Sequence, residues 1–97
     1  MERLKKKLRK NGYDYTQLHR GEKACLYELN YAKNVKYYEV FLIKVRKQRT
    51  VANKTFPKAE VFPHDEAFGY WAWVSRNYSK MKAKFDQIES VEDIGHV

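Results

Sequence analysis

The sequence predicts an α+β fold: a short N-terminal helix, a two- to three-stranded antiparallel sheet, and a long C-terminal amphipathic helix packed on one face of that sheet. Three observations predict it. Residues 64–89 read HDEAFGYWAWVSRNYSKMKAKFDQIE and place Ala67, Trp71, Val74, Tyr78, Met81, Phe85 and Ile88 at alternating spacings of four and three, which is one stripe of an α-helix. Residues 13–48 show period-two alternation rich in tyrosine and valine, the mark of half-buried strands. Residues 2–11 read ERLKKKLRKN, with Leu4 and Leu8 one helical turn apart.

The N-terminal segment, 1–12, is read as a basic helix stopped by Asn11-Gly12. Two leucines give a narrow stripe, so this helix would depend on docking against the core. A short strand over 13–19 and a turn at Arg20-Gly21-Glu22 follow. Lys23 to Ala32 reads as a second strand, with Cys25, Tyr27, Leu29 and Tyr31 on one face. Lys36 to Gln48 is a third, with Tyr37, Phe41, Ile43 and Val45 pointing one way and Tyr38, Val40, Leu42, Lys44 and Arg46 the other. Pairing Glu28 with Glu39 would set like charges opposite each other. The preferred register therefore pairs Tyr27 with Phe41 and Cys25 with Ile43, and turns the odd-numbered residues toward the long helix.

From residue 49 to 63 the chain is expected to form a basic loop, in which Phe56, Val61 and Phe62 anchor beneath the long helix. Pro57 and Pro63 bracket Ala59-Glu60-Val61-Phe62, too short for more than an edge strand. Pro63, Asp65 and Glu66 suit a helix start, and Lys80, Lys82 and Lys84 follow where the helix dipole favours cations. Residues 90–97 are acidic and aperiodic, and are read as a flexible tail.

Composition bounds the function. The chain has 97 residues, enough for one domain and one core, and its 43% hydrophobic content argues against wholesale disorder. A formal charge of +8 and an isoelectric point near 9.6 favour an anionic partner: nucleic acid, an acidic protein face or a membrane surface. A single cysteine, Cys25, excludes an internal disulfide and suits a reducing, cytoplasmic setting. Six basic residues in the first ten lack a following apolar segment, so no signal peptide is expected, and no run reaches membrane-spanning length.

Catalytic signatures are lacking. His19, His64 and His96 share no helix face, and no His/Cys pair has metal-ligand spacing. Asp65 and Glu66 are adjacent, so on a helix they diverge rather than pair. The four glycines form no phosphate-cradling loop. Cys25, mid-strand on a core face, suits a buried inert thiol. No enzyme activity, cofactor or metal is expected.

Binding is the stronger expectation. On the wheel of the long helix, Arg76, Lys80 and Lys84 form an i, i+4, i+8 row opposite the apolar stripe, with Trp73 inside it and Tyr70 at its edge. Cations that neutralise phosphates beside an aromatic that stacks on a base are the ingredients of a nucleic-acid surface. Lys44, Arg46 and Arg49 at the strand end and loop, and Lys6 and Arg9 near the N-terminus, extend the candidate site. The competing reading is plain solvation: a Lys/Arg row opposite an apolar stripe is commonly just the wet face of a helix. The element order also parallels the double-stranded RNA-binding domain, but that fold reads phosphates from a lysine cluster at its second helix, where this chain has His64-Asp65-Glu66.

Three stretches, LRKNGYDYTQL (8–18), KYYEVFLIKVRK (36–47) and AEVFPHDEAFGYWAWVSRNYSKMKAKFDQI (59–88), together resemble small uncharacterised proteins of phages and other bacterial mobile elements. Tyr38-Glu39-Val40 matches their Tyr-Glu-Val strand. Pro63, Glu66, Phe68, Gly69, Ala72 and Trp73 match their Pro-x-x-Glu-x-Phe-Gly-x-x-Ala-Trp segment. The resemblance implies an accessory protein inside a bacterial host and carries no catalytic residue. It also supports a rival function, binding a host protein with an acidic face, such as a defence nuclease or polymerase, through the same Tyr70, Trp73 and basic side chains. Either a monomer or a homodimer fits.

Overall fold

The computed structural model describes residues 1–91. The expected flexible tail lies outside the described residues from position 92 onward. In order, the elements are β1 (Lys7–Lys10), β2 (Tyr13–Arg20), β3 (Ala24–Ala32), β4 (Val35–Leu42), β5 (Val45–Arg46), β6 (Arg49–Val51), β7 (Lys54–Phe56), β8 (Ala59–Glu60), a 3₁₀ turn (Asp65–Ala67), β9 (Ala72–Ser75) and α1 (Tyr78–Ser90). A five-stranded antiparallel sheet runs β1-β2-β3-β4-β9, flanked by the two-stranded pairs β5-β8 and β6-β7. The fold is therefore mostly β with one α-helix among the described residues. This overturns the expected two-helix arrangement, and with it the parallel to the double-stranded RNA-binding domain.

Of the expected N-terminal helix, Lys7–Lys10 form a strand and the residues before them no helix, because the apolar spacing fits both periods. A spacing of four puts Leu4 and Leu8 on one face of a helix, but also on one face of a strand, where the period is two. Both leucines pack on the core, while Lys7 and Arg9 alternate outward. Asn11-Gly12, read as a helix stop, closes a two-residue hairpin pairing Lys10 with Tyr13. Asn11 and Gly12 have φ of 54° and 83°, as a type I′ turn requires.

The long helix is broken for a related reason. Ala67 is buried in the 3₁₀ turn and Gly69 sits at φ 90°, which a helix does not accommodate. Ala72-Trp73-Val74-Ser75, rich in strand-forming residues, then pairs with Tyr38 to Phe41 at the edge of the sheet. The α-helix starts afresh at Tyr78, where the Asn77 side chain accepts a 2.9 Å hydrogen bond from the Lys80 amide. Only Met81, Phe85 and Ile88 of the expected stripe act as its core face, and Val74 is 46% exposed. Asn77→Ala is expected to lower stability by about 1 kcal/mol, read as a lower thermal midpoint. An Asn77→Asp control should preserve it, and an unchanged midpoint in the alanine variant would show the junction does not need its cap.

At the centre, β3 is buried on both faces from Ala24 to Tyr27. Its register against β4 pairs Cys25 with Phe41 and Tyr27 with Glu39. This avoids the Glu28/Glu39 clash by a shift opposite to the expected one, and sets each glutamate against a tyrosine. The face assignment is corrected as well. Even-numbered Ala24, Leu26 and Val40 meet α1 through Met81 and Phe85. Odd-numbered Tyr15, Cys25, Tyr27 and Phe41 are covered instead by the chain around Phe62. That ring lies 4.9, 5.2 and 5.0 Å from the centroids of Tyr15, Tyr27 and Phe41, steeply inclined to each. Phe56, expected as an anchor, is exposed.

Glu60 ties this cover to the sheet. Its carboxylate accepts two bonds from Arg20, at 2.7 and 2.6 Å, and one from the Leu4 amide at 3.0 Å. The Arg20 hydrogen bond, above all, holds its pKa down to about 2. Cys25 is fully buried, and desolvation pushes its thiol up to about 11. It is a core residue.

Candidate nucleic-acid interface

The expected loop at 49–63 is largely structured. β6 and β7 form a two-stranded ribbon pairing Arg49 with Phe56, Thr50 with Thr55, and Val51 with Lys54. Its two-residue tip, Ala52-Asn53, has φ of 50° and 66°, again a type I′ turn whose twist matches that of the strands. Every residue from Lys47 to Lys58 is exposed, so the ribbon stands clear of the core. Paired residues share a face, and alternate pairs face opposite ways. One face therefore carries Arg49, Val51, Lys54 and Phe56, with the Arg49 guanidinium 5.5 Å from the Phe56 ring. The other carries Thr50 and Thr55, their hydroxyls 3.3 Å apart.

Lys44, Arg46, Lys47, Arg49, Lys54 and Lys58 make this stretch uniformly basic, with no acidic residue among 44–59. None of the six forms an ion pair among the described residues, whereas Arg9, Arg20, Lys36 and Lys82 are each paired. Lys44 extends over Trp71, 5.6 Å from the ring centroid. Arg46 lies in β5 at the ribbon's base, and its Nη1 is buried without a hydrogen-bond partner among the described residues.

A second basic surface lies where β9 meets α1. A groove of about 710 Å³ is lined by Phe68, Trp73, Val74, Lys80, Met81, Lys84 and Gln87 together with small neighbours. Trp73 projects from β9 toward the helix, half-buried, and the Lys84 ammonium lies 4.2 Å from its ring centroid. Lys80 and Lys84 are one turn apart, so their charges repel. The face of Trp73 offers one of them a compensating cation–π contact. Two ammonium groups held together without a carboxylate are suited to an oxyanion such as phosphate. The aromatic thus orients a lysine here, instead of lying open for a base to stack on it.

The remaining expected residues do not join this pair. Arg76 precedes the cap of α1, so the i, i+4, i+8 row does not exist; the residue is exposed on the β9–α1 connection. Tyr70 is 81% exposed at the turn before β9 and does not line the groove. Lys6 is exposed before β1, and Arg9 is engaged with Asp14 at 3.0 Å. Lys7 and Arg9 on the outermost strand are in place to discourage edge-to-edge pairing of sheets.

The ribbon itself went unrecognised in the sequence, although R-T-V-A-N-K-T-F carries its signal: β-branched residues on both sides of a two-residue Ala-Asn turn. Glu39 is marked by the sequence as a strand residue but not as a buried one. It is 6% exposed on the aromatic face of the sheet, and burial pushes its carboxyl up to about 7, with Lys10 opposing that shift. Among the described residues, no set of three or more His, Cys, Asp and Glu side chains is placed to hold a metal, and no helix is long and apolar enough to cross a membrane. Comparison with protein-family models, curated proteins and solved structures gives no match to this chain.

Proposed function

We propose that this chain is a small basic accessory protein of a phage or mobile element, acting in the cytoplasm of a bacterial host by binding nucleic acid. Binding rests mainly on phosphate contacts, without strong sequence specificity. The observation that carries this reading is the segregation of charge. The six cations between Lys44 and Lys58 lie in a stretch without a single acidic residue, and neither they nor the Lys80/Lys84 pair form an ion pair among the described residues. Unmatched cations on exposed surfaces gain most from a polyanion, because each phosphate they neutralise releases condensed counterions. The phage or mobile-element setting rests on the sequence resemblance alone.

Fluorescence anisotropy with labelled duplex and single-stranded oligonucleotides, titrated against salt, tests the proposal. Affinity is expected to fall steeply between about 50 and 200 mM salt. Lys80→Ala with Lys84→Ala is expected to make the log–log salt slope shallower by about one to two. Absence of binding by the unaltered protein at low salt would overturn the proposal.

One observation favours a second reading, recognition of a host protein. β9 is an edge strand whose outer side is bridged at Ala72 by Phe68 and carries no further strand among the described residues, and Tyr70 and the 46%-exposed Val74 lie beside or on it. An edge strand flanked by exposed aromatic and aliphatic groups suits an added strand from a partner. A pull-down from host lysate distinguishes the two: a protein partner stays bound after nuclease treatment, and a nucleic-acid tether does not.

A further inference from the structure

The β6–β7 ribbon, we infer, is an arm that enters the major groove of duplex DNA. The inference rests on the nucleic-acid reading above and deepens it by naming the form of nucleic acid and the element that meets it. Its first support is shape. Two paired strands lie about 5 Å apart and rise about 3.3 Å per residue. From Arg49 to the tip the paired arm is therefore on the order of 10 Å long, enough to reach the floor of a groove about 8.5 Å deep. The B-form major groove, about 12 Å wide, admits a two-stranded ribbon, whereas the minor groove at about 6 Å does not without deformation. The major groove of an RNA duplex is too narrow for side chains to read.

The second support is chemistry. Arg49 and Lys54 lie on one face, near opposite ends of the ribbon, as contacts to phosphates along a groove require. Thr50 and Thr55 present a pair of hydroxyls on the other face, short groups that hydrogen-bond to base edges of either polarity without enforcing one sequence. Ala52 holds a left-handed backbone at φ 50°, which disfavours side chains with a Cβ. Together with Asn53 it makes a narrow tip, and Asn53 carries the amide that pairs with adenine. The third support is independence from the core: all residues involved are exposed, so the ribbon has no evident role in holding the sheet together.

The test uses the full-length protein with a fluorescein-labelled mixed-sequence DNA duplex, the matching single strand and the matching RNA duplex. The expected order of affinity places the DNA duplex first. Arg49→Ala with Lys54→Ala should weaken duplex DNA binding by about tenfold or more at low salt and flatten the salt slope by about one to two, with circular dichroism unchanged. The reversal Arg49→Glu with Lys54→Glu should weaken it further. Methyl green, a major-groove ligand, should compete, and netropsin in the minor groove should not. Wild-type affinity in the ribbon variants, with binding lost in the Lys80/Lys84 variant, would overturn the arm and leave the proposed function standing. Equal affinity for duplex and single strand, or competition by netropsin alone, would also overturn it. Failure of the unaltered protein to bind any of the three probes would overturn both.

Discussion

Replacing Glu39 with glutamine is expected to raise the unfolding free energy by about 2–3 kcal/mol at pH 8 and to change it little at pH 4. Glu39 lies on the aromatic face of β4, opposite Tyr27 on β3 and Val74 on β9. It is 6% exposed, and its Oε2 has no hydrogen-bond partner among the described residues. Burial disfavours the charged form, which raises the pKa from 4.5 to about 7. Because the folded state holds the proton more tightly than the unfolded chain, this residue's contribution to stability is fully present below about pH 4.5. It is lost as pH rises through about 7. A glutamine has nearly the shape of the protonated acid and never ionises, so the variant should lack that decline.

Glu60 imposes the opposite slope at lower pH. Its carboxylate is held down to about 2, chiefly by the Arg20 hydrogen bond. Its contribution is present above the ordinary carboxylate value and lost as pH falls through about 2. Together these two groups place maximum stability on the acid side of neutrality, near pH 4.5–5 on these values. Denaturant melts of the wild type and Glu39→Gln across pH 4 to 8 would measure this. Parallel curves would sink the account of Glu39. A second readout is Tyr15, whose phenol is pushed up to about 12 by burial first and by the Glu39 charge second. Its ultraviolet titration should move down in the variant.

How much of this was legible in the sequence depended on whether a spacing fits one period or two. The strands β2, β3 and β4 alternate at every second residue, which no helix reproduces, and the expected spans 13–19 and 23–32 match β2 and β3, whereas 36–48 runs past the end of β4 at Leu42 into β5, which belongs to another sheet. Leu4 and Leu8 are four apart, and four is a multiple of the strand period as well as close to the helix period; Ala67 and Trp71, also four apart, lie in the 3₁₀ turn and in the turn before β9. Hydrophobic spacing alone could not decide those segments. The deciding signals were local: Asn11-Gly12 as a hairpin turn, Gly69 as a break, and Asn77 as a fresh cap.

The candidate site was legible in part. Trp73, Lys80 and Lys84 do come together, because the wheel correctly relates Lys80 to Lys84 within α1. Trp73 reaches them from a neighbouring strand rather than along one helix. Arg76 falls away because the helix it was placed on begins two residues later. The facing of the sheet was not legible, since both the odd and the even residues of β3 and β4 are apolar enough to be buried.

Glu89→Ala and Gly21→Ala are each expected to destabilise the fold by about 2 kcal/mol, and the double variant by scarcely more than either alone. Glu89 lies in the last turn of α1, where the helix dipole disfavours a carboxylate. What compensates is the β2–β3 turn. The Glu22, Lys23 and Ala24 amides donate to the Glu89 carboxylate at 3.0, 2.8 and 2.7 Å. The turn wraps the anion so closely that a Cβ on Gly21 would overlap it. Alanine at 21 must therefore displace the carboxylate and weaken the same three bonds that Glu89→Ala removes. Hydrogen bonds to a charged acceptor contribute about 1.5–3 kcal/mol each at most, and partial exposure of the turn brings the sum down to about 2. For a chain of this size that corresponds to a fall in Tm on the order of 10 °C. Additive losses in the double variant would show that Gly21 and Glu89 act separately. Because the clasp fixes the C-terminal end of α1 against the sheet, its loss should also loosen the groove. Hydrogen exchange at Lys84 to Glu89 should then accelerate in both single variants, while the amides of Arg49 to Phe56 in the ribbon keep their wild-type rates.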